Sequence, residues 1–141
     1  ADFEHRADAT VALLDGIDED FAAGLADCAS TDLVTSHQAF GYLARRYGLT
    51  QVGITGLSPE QEPSAARLAE VTDFVEDHDV ATIYFETLVP SGIAETIATE
   101  TGARTAVLDP IEGVTDRSAG DDYPSIMAAN LAALRQGQRC S

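Results

Sequence analysis

His37 and Asp109 are the residues whose chemistry and setting best suit the capture of a metal ion. His37 follows the apolar run Leu33-Val34-Thr35 and Ser36, and it opens a stretch that reads as an amphipathic helix over 38–47. Asp109 ends a second apolar run, Ala106-Val107-Leu108, and is held before Pro110. An imidazole nitrogen and a carboxylate oxygen are a donor pair that zinc accepts in a tetrahedral shell. A protonated histidine at the first turn of a helix faces the positive end of the helix dipole, which favours the neutral ring a metal needs. Two ligands do not complete a shell, so further donors must come from elsewhere or from water. Each residue also has a plainer reading: His37 as a cap or surface group, Asp109-Pro110 as a turn, and Glu86 as a cap on the turn that follows it.

The elements that would position these groups are readable from periodicity. Strands are expected at 33–35, 51–55, 80–85 and 103–108, and helices at 38–47, 64–77, 92–101 and 123–137. Before them, Phe3, Ala7, Val11 and Leu14 share one helical face over 2–15. Asp15-Gly16-Ile17-Asp18 reads as a break, with Asp18 capping a second short helix to about residue 26. Ser58-Pro59-Glu60-Gln61 fits a capping box and one short turn, and 111–122 is a polar surface loop. Strand and helix alternate four times, which predicts an α/β fold: a three-layer α/β/α sandwich on a four-stranded parallel sheet. Functional groups in such sheets collect at the carboxyl ends of the strands. Those ends carry Ser36 and His37, Thr55, Glu86 and Asp109 in turn.

Composition narrows the partners. Eight arginines and no lysine stand against 24 acidic residues, a net charge of −16. That charge repels phosphate backbones and anionic lipid, so nucleic acid is excluded as a partner and cations are favoured. With 141 residues the chain suits one domain with a real core. Its start, Ala1-Asp2-Phe3-Glu4, has neither an initiator methionine nor the basic and apolar run of a leader, as expected of a mature or trimmed product. No G-x-S-x-G or H-E-x-x-H motif occurs, and Gly53-Ile54-Thr55-Gly56 is no phosphate-binding fingerprint. Cys28 and Cys140 belong to no C-x-x-C; they are either buried thiols or one disulfide stapling the last helix to the first. His5 and His78 lie in acidic, exposed helical settings and carry no such signal.

The run Thr35-Ser36-His37-Gln38-Ala39-Phe40-Gly41-Tyr42-Leu43-Ala44, with Tyr47-Gly48-Leu49, resembles the C-terminal lobe of the zinc/manganese solute-binding proteins of bacterial ABC importers. The similarity continues through Gly56-Leu57-Ser58-Pro59-Glu60, Glu62-Pro63-Ser64, Phe85-Glu86-Thr87-Leu88, Leu108-Asp109-Pro110 and Tyr123 to Asn130. It implies that residues 1–29 are the remnant of a long inter-lobe helix plus a short helix, and that 30–141 form the metal-binding lobe. It places His37 and Asp109 on ligand positions, with Glu86, Ser36 and Thr55 at the cleft edge or behind the ligands. Histidine at position 37 points to zinc, with manganese as the alternative, because imidazole suits zinc and oxygen suits manganese. The resemblance also implies a Cys28–Cys140 disulfide, an extracytoplasmic location, a cognate permease and a missing N-terminal lobe that holds the other ligands. The expected role is therefore capture and delivery of zinc without catalysis. Two alternatives stand beside it: a small metal-dependent hydrolase using His37, Asp109 and Glu86, and a surface adhesin or interaction module.

Overall fold

Two successive strand residues point to opposite faces of a sheet, and in this protein both faces are covered. Leu33 and Tyr84 turn to one side, Val34 and Ile83 to the other, and all four are fully buried. The computed structural model describes residues 1–141. Helix α1 (Asp2–Gly24) leads into β1 (Asp32–Thr35), α2 (Gly41–Tyr47), β2 (Thr50–Gly53), α3 (Ala65–Asp77), β3 (Thr82–Phe85), α4 (Gly92–Thr101), β4 (Arg104–Val107) and α5 (Tyr123–Gly137). The strands lie in the order β2-β1-β3-β4 and every pairing is parallel. One core joins Phe21, Leu33, Phe40, Ala44, Tyr84, Leu108 and Leu134. The other joins Val34, Ile54, Val71, Val75, Ile83, Ala94 and Ile97. This is the expected three-layer sandwich. Its order reverses between β1 and β3, and the carboxyl ends of those strands form the crevice where such sheets bind ligands.

Helix ends follow local chemistry. Ser64 accepts the Arg67 amide at the start of α3, and Asp122 with Ser125 forms a capping box on α5, where Pro124 sits in the first turn. Gly48 and Gly102 end α2 and α4 in the left-handed conformation. The segment 58–61 is closed by the Gln61 amide donating to the Ser58 carbonyl, a plain turn in which the Ser58 hydroxyl caps nothing.

Two local expectations need correction. The first is the break at Gly16: α1 runs unbroken from Asp2 to Gly24. A mid-helix glycine costs about 1 kcal/mol, less than the packing of Ile17 and buried Phe21 and Leu25 against the first core returns. Asp18 caps no helix. Its carboxylate accepts from Arg46 (2.6 and 3.0 Å) and from the Tyr47 hydroxyl (2.8 Å), and these bonds lower its pKa to about 2. Residues 2–16 of α1 are exposed throughout, including Phe3, Val11 and Leu14. The second correction is α2, which begins at Gly41, so residues 36–40 form a turn and His37 lies outside any helix.

The amino end of the sheet is sealed by Cys28–Cys140, which form a disulfide. Around it the Ala29 and Ser30 amides donate to the Arg139 and Gln138 carbonyls, and the Ser141 amide donates to the Asp27 carbonyl. Buried Gln138 donates to the carbonyls of Ser30 (3.1 Å) and Asp32 (2.9 Å) and accepts from the Tyr84 hydroxyl (3.1 Å). Gly137 allows this close approach, since a Cβ there would collide with the Tyr84 hydroxyl oxygen. No helix is long and apolar enough to cross a membrane.

Candidate metal centre

The turn after β1 is built to present one side chain. The Thr35 hydroxyl donates to the His37 carbonyl at 2.7 Å, and the Gln51 amide group donates to both Thr35 Oγ1 and that carbonyl. Ser36 gives its amide to the Tyr84 carbonyl of β3, and its own carbonyl accepts the Thr55 amide and hydroxyl. The Gln38 amide donates to the Gly56 carbonyl. Thr55, expected near the cleft, thus works as a brace for the turn. Gly53 leaves room for Gln38, whose Cγ would lie on an added Cβ. So fixed, the His37 ring is buried at 3 % exposure. Burial pushes its imidazole below the usual histidine range, and the charge of Glu112 opposes the shift. The neutral ring is therefore favoured, as expected, but by desolvation and not by a helix dipole.

Glu86 leaves the end of β3 into the same crevice, 2 % exposed, with Oε1 against His37 Nδ1. That contact lacks hydrogen-bond geometry, and neither Glu86 oxygen has another partner. The hydroxyls of Ser36 and Thr87 and the Oδ2 of Asp109 are likewise buried without partners. A carboxylate taken out of water costs several kcal/mol unless a cation or donors compensate it. The third member is Glu112, from the loop after β4. Ligand atoms of His37, Glu86 and Glu112 all lie within 4.8 Å of one another. One imidazole with two carboxylates is a hard-to-borderline donor set that suits zinc.

Asp109, expected as a ligand, is buried at 4 % exposure but stands outside that converging trio. Its Oδ1 accepts the Ile111 amide at 2.8 Å. Its backbone is clasped by Asn130 of α5, which accepts the Asp109 amide (2.9 Å) and donates to the Asp109 carbonyl (2.8 Å). Sequence reasoning missed Glu112 because it sits in a polar, Gly-containing loop past the strand end. The signal in the sequence was its spacing, three residues beyond Asp109. Ser36 lines a pocket of about 500 Å³ with His37, Thr55 and Ile93, beside the trio. His78 is elsewhere, stacked on Phe74 and bonded to Asp32 at the amino end of the sheet.

Residues 1–137 match the family model described as zinc-uptake complex component A, periplasmic. The chain is 47 % identical over 136 residues to the zinc-binding lipoprotein AdcA of Streptococcus pneumoniae, covering 95 % of this chain and 27 % of that protein. It is 42 % identical over 135 residues to the high-affinity zinc uptake system protein ZnuA of Bacillus subtilis, covering 94 % of this chain and 42 % of that protein. Among solved structures, the Zn(II)-bound ZnuA-like domain of Streptococcus pneumoniae AdcA superposes with a TM-score of 0.77 at 46 % identity, over 96 % of this chain and 52 % of that one. The chain thus spans between about a quarter and two fifths of the length of these curated relatives.

Proposed function

This chain belongs to the family of periplasmic zinc-uptake complex component A, and on that premise we propose that it is the C-terminal lobe of an extracytoplasmic solute-binding protein. The lobe supplies half of an inter-lobe site that captures Zn(II) for an ABC importer. Residues 1–29 are read as the end of a helix that joins the lobes and the segment after it, and residues 30–141 as the lobe itself. The other lobe and the permease are its macromolecular partners, and zinc is its cargo. No catalytic step is assigned to the site.

The observation that carries this reading is the buried Glu86 carboxylate, without a hydrogen-bond partner, against His37 with Glu112 beside them. Such an arrangement costs the fold stability unless a cation or further donors join it, and the carboxylates and imidazole gathered here suit a cation. His37 and Glu112 are the proposed zinc ligands, with Glu86 bearing on the same ion. Support for zinc over manganese comes from the imidazole. Fewer than four side chains converge, so this chain alone binds weakly and a second lobe completes the shell. Isothermal titration tests this. Zinc should bind the chain with low affinity, lost in His37→Ala and Glu112→Gln, and manganese should bind more weakly still. Tight one-to-one zinc binding by a monomeric chain would contradict the half-site, and binding untouched by His37→Ala would contradict the site.

A further inference from the structure

Glu112 is exposed on a loop, yet its carboxylate meets two buried side chains. Nothing in Glu112 itself explains that placement. The residue before it does: Ile111 has φ of +61°. Left-handed backbone is disfavoured by the Cβ of any L-residue, and for a β-branched side chain it is a true outlier. Such a conformation persists only where its surroundings over-determine it, and it gathers at sites of function. The surroundings are visible. Asn130, buried on α5, holds both the amide and the carbonyl of Asp109. Asp109 Oδ1 then takes the Ile111 amide. Pro110 between them has a fixed φ, so few torsions remain free.

We propose that Asn130 and Asp109 are positioning residues that lock Ile111 in its left-handed turn and so hold the Glu112 carboxylate against His37 and Glu86. Asp109 acts through its hydrogen bond and not as a ligand. The inference deepens the zinc reading and rests on it for the role of Glu112. The geometry of the relay, however, can be tested without metal. Its force comes from the division of labour: a rigid helix fixes a strand-end backbone, a carboxylate fixes a turn, and the turn aims the next side chain. The relay also accounts for why Glu112 needs no buried stem of its own.

Asparagine at position 109 keeps the acceptor oxygen and removes the charge; alanine removes both. The test measures amide hydrogen exchange at Ile111 in the metal-free chain, then zinc affinity by competition with a chromogenic chelator. Amides in β1 serve as the control for folding. In the wild type the Ile111 amide should be protected. Asp109→Ala should abolish that protection and weaken zinc at least tenfold, as Glu112→Gln does. The conservative Asp109→Asn should restore protection and bring affinity back to within about threefold of wild type. An unprotected Ile111 amide in the wild type overturns the relay. So does an Asp109→Asn chain that keeps the protected amide but binds zinc as poorly as Asp109→Ala, because Asp109 would then act by its charge on the metal. Ile111 protection that follows the expected pattern, in a wild-type chain that binds no zinc, supports the relay and defeats the zinc reading instead.

Discussion

The two ends of the sheet treat buried polarity in opposite ways. At the amino end, Gln138 is buried and makes three hydrogen bonds, and a disulfide closes the seam beside it. At the carboxyl end, buried Glu86, Thr87 and Asp109 and the buried hydroxyl of Ser36 leave atoms unpartnered. Both ends lie on the same four strands, so strand pairing does not explain the contrast. A fully satisfied network tightens a fold, and a partly satisfied one weakens it. The amino end is therefore the region that secures the lobe. On the function proposed above, the carboxyl end is held below its best stability until zinc supplies the missing partner.

Measurements can break or sharpen this contrast. The largest effect is expected at the amino end, where Cys140→Ser opens a staple between residues 112 positions apart. Removing a native disulfide from a small extracellular domain costs about 2–5 kcal/mol, and denaturant unfolding should show that loss with zinc affinity little changed. Next comes Gln138→Leu, which strands two carbonyls and the Tyr84 hydroxyl in a buried setting. A cost of roughly 2–3 kcal/mol is expected, and a neutral result would show that this network is not what secures the lobe.

The same kind of change at the other end should have the reverse sign. Glu86→Gln removes a buried carboxylate that has no hydrogen-bond partner, so thermal unfolding of the metal-free chain should show stabilisation by about 1 kcal/mol. Zinc affinity should meanwhile fall at least tenfold, about 1.4 kcal/mol. A variant less stable than wild type without metal would end the contrast. The smallest effect is in the pH dependence. Burial lowers the His37 pKa, so above about pH 6.5 both folded and unfolded chains hold this ring neutral. As pH falls below that value the unfolded chain takes up the proton first, and stability declines until the lower folded pKa is reached. His37→Gln should flatten that decline in unfolding curves measured between about pH 7.5 and 5.

Much of this was legible in the chain. Alternation of apolar runs and amphipathic stretches marked all four strands, and α5 was expected over the residues it occupies. His37, Glu86 and Asp109 were each placed at a strand's carboxyl end, where they lie. Illegible were the points at which distant contacts overrule local signals. Gly16 and Asp18 carry the marks of a break and a cap, but Phe21 packing on the core and the Arg46 bond keep α1 whole and recruit Asp18 elsewhere. The His37 turn likewise carries the marks of a helix start, but Thr35, Gln51 and Thr55 hold it in another shape.

By itself the sequence determined which residues face inward and which terminate strands, because burial and period are properties of neighbours along the chain. Tertiary structure alone decided who meets whom. The order β2-β1-β3-β4 puts the ends of β1 and β3 side by side, and so brings His37 to Glu86 across almost fifty residues. The loop after β4, where the Ile111 amide donates to Asp109 Oδ1, brings Glu112 to them, and in the relay proposed above Asp109 is its brace. No local pattern encodes those meetings, since each depends on strand order, register and the path of a loop through space.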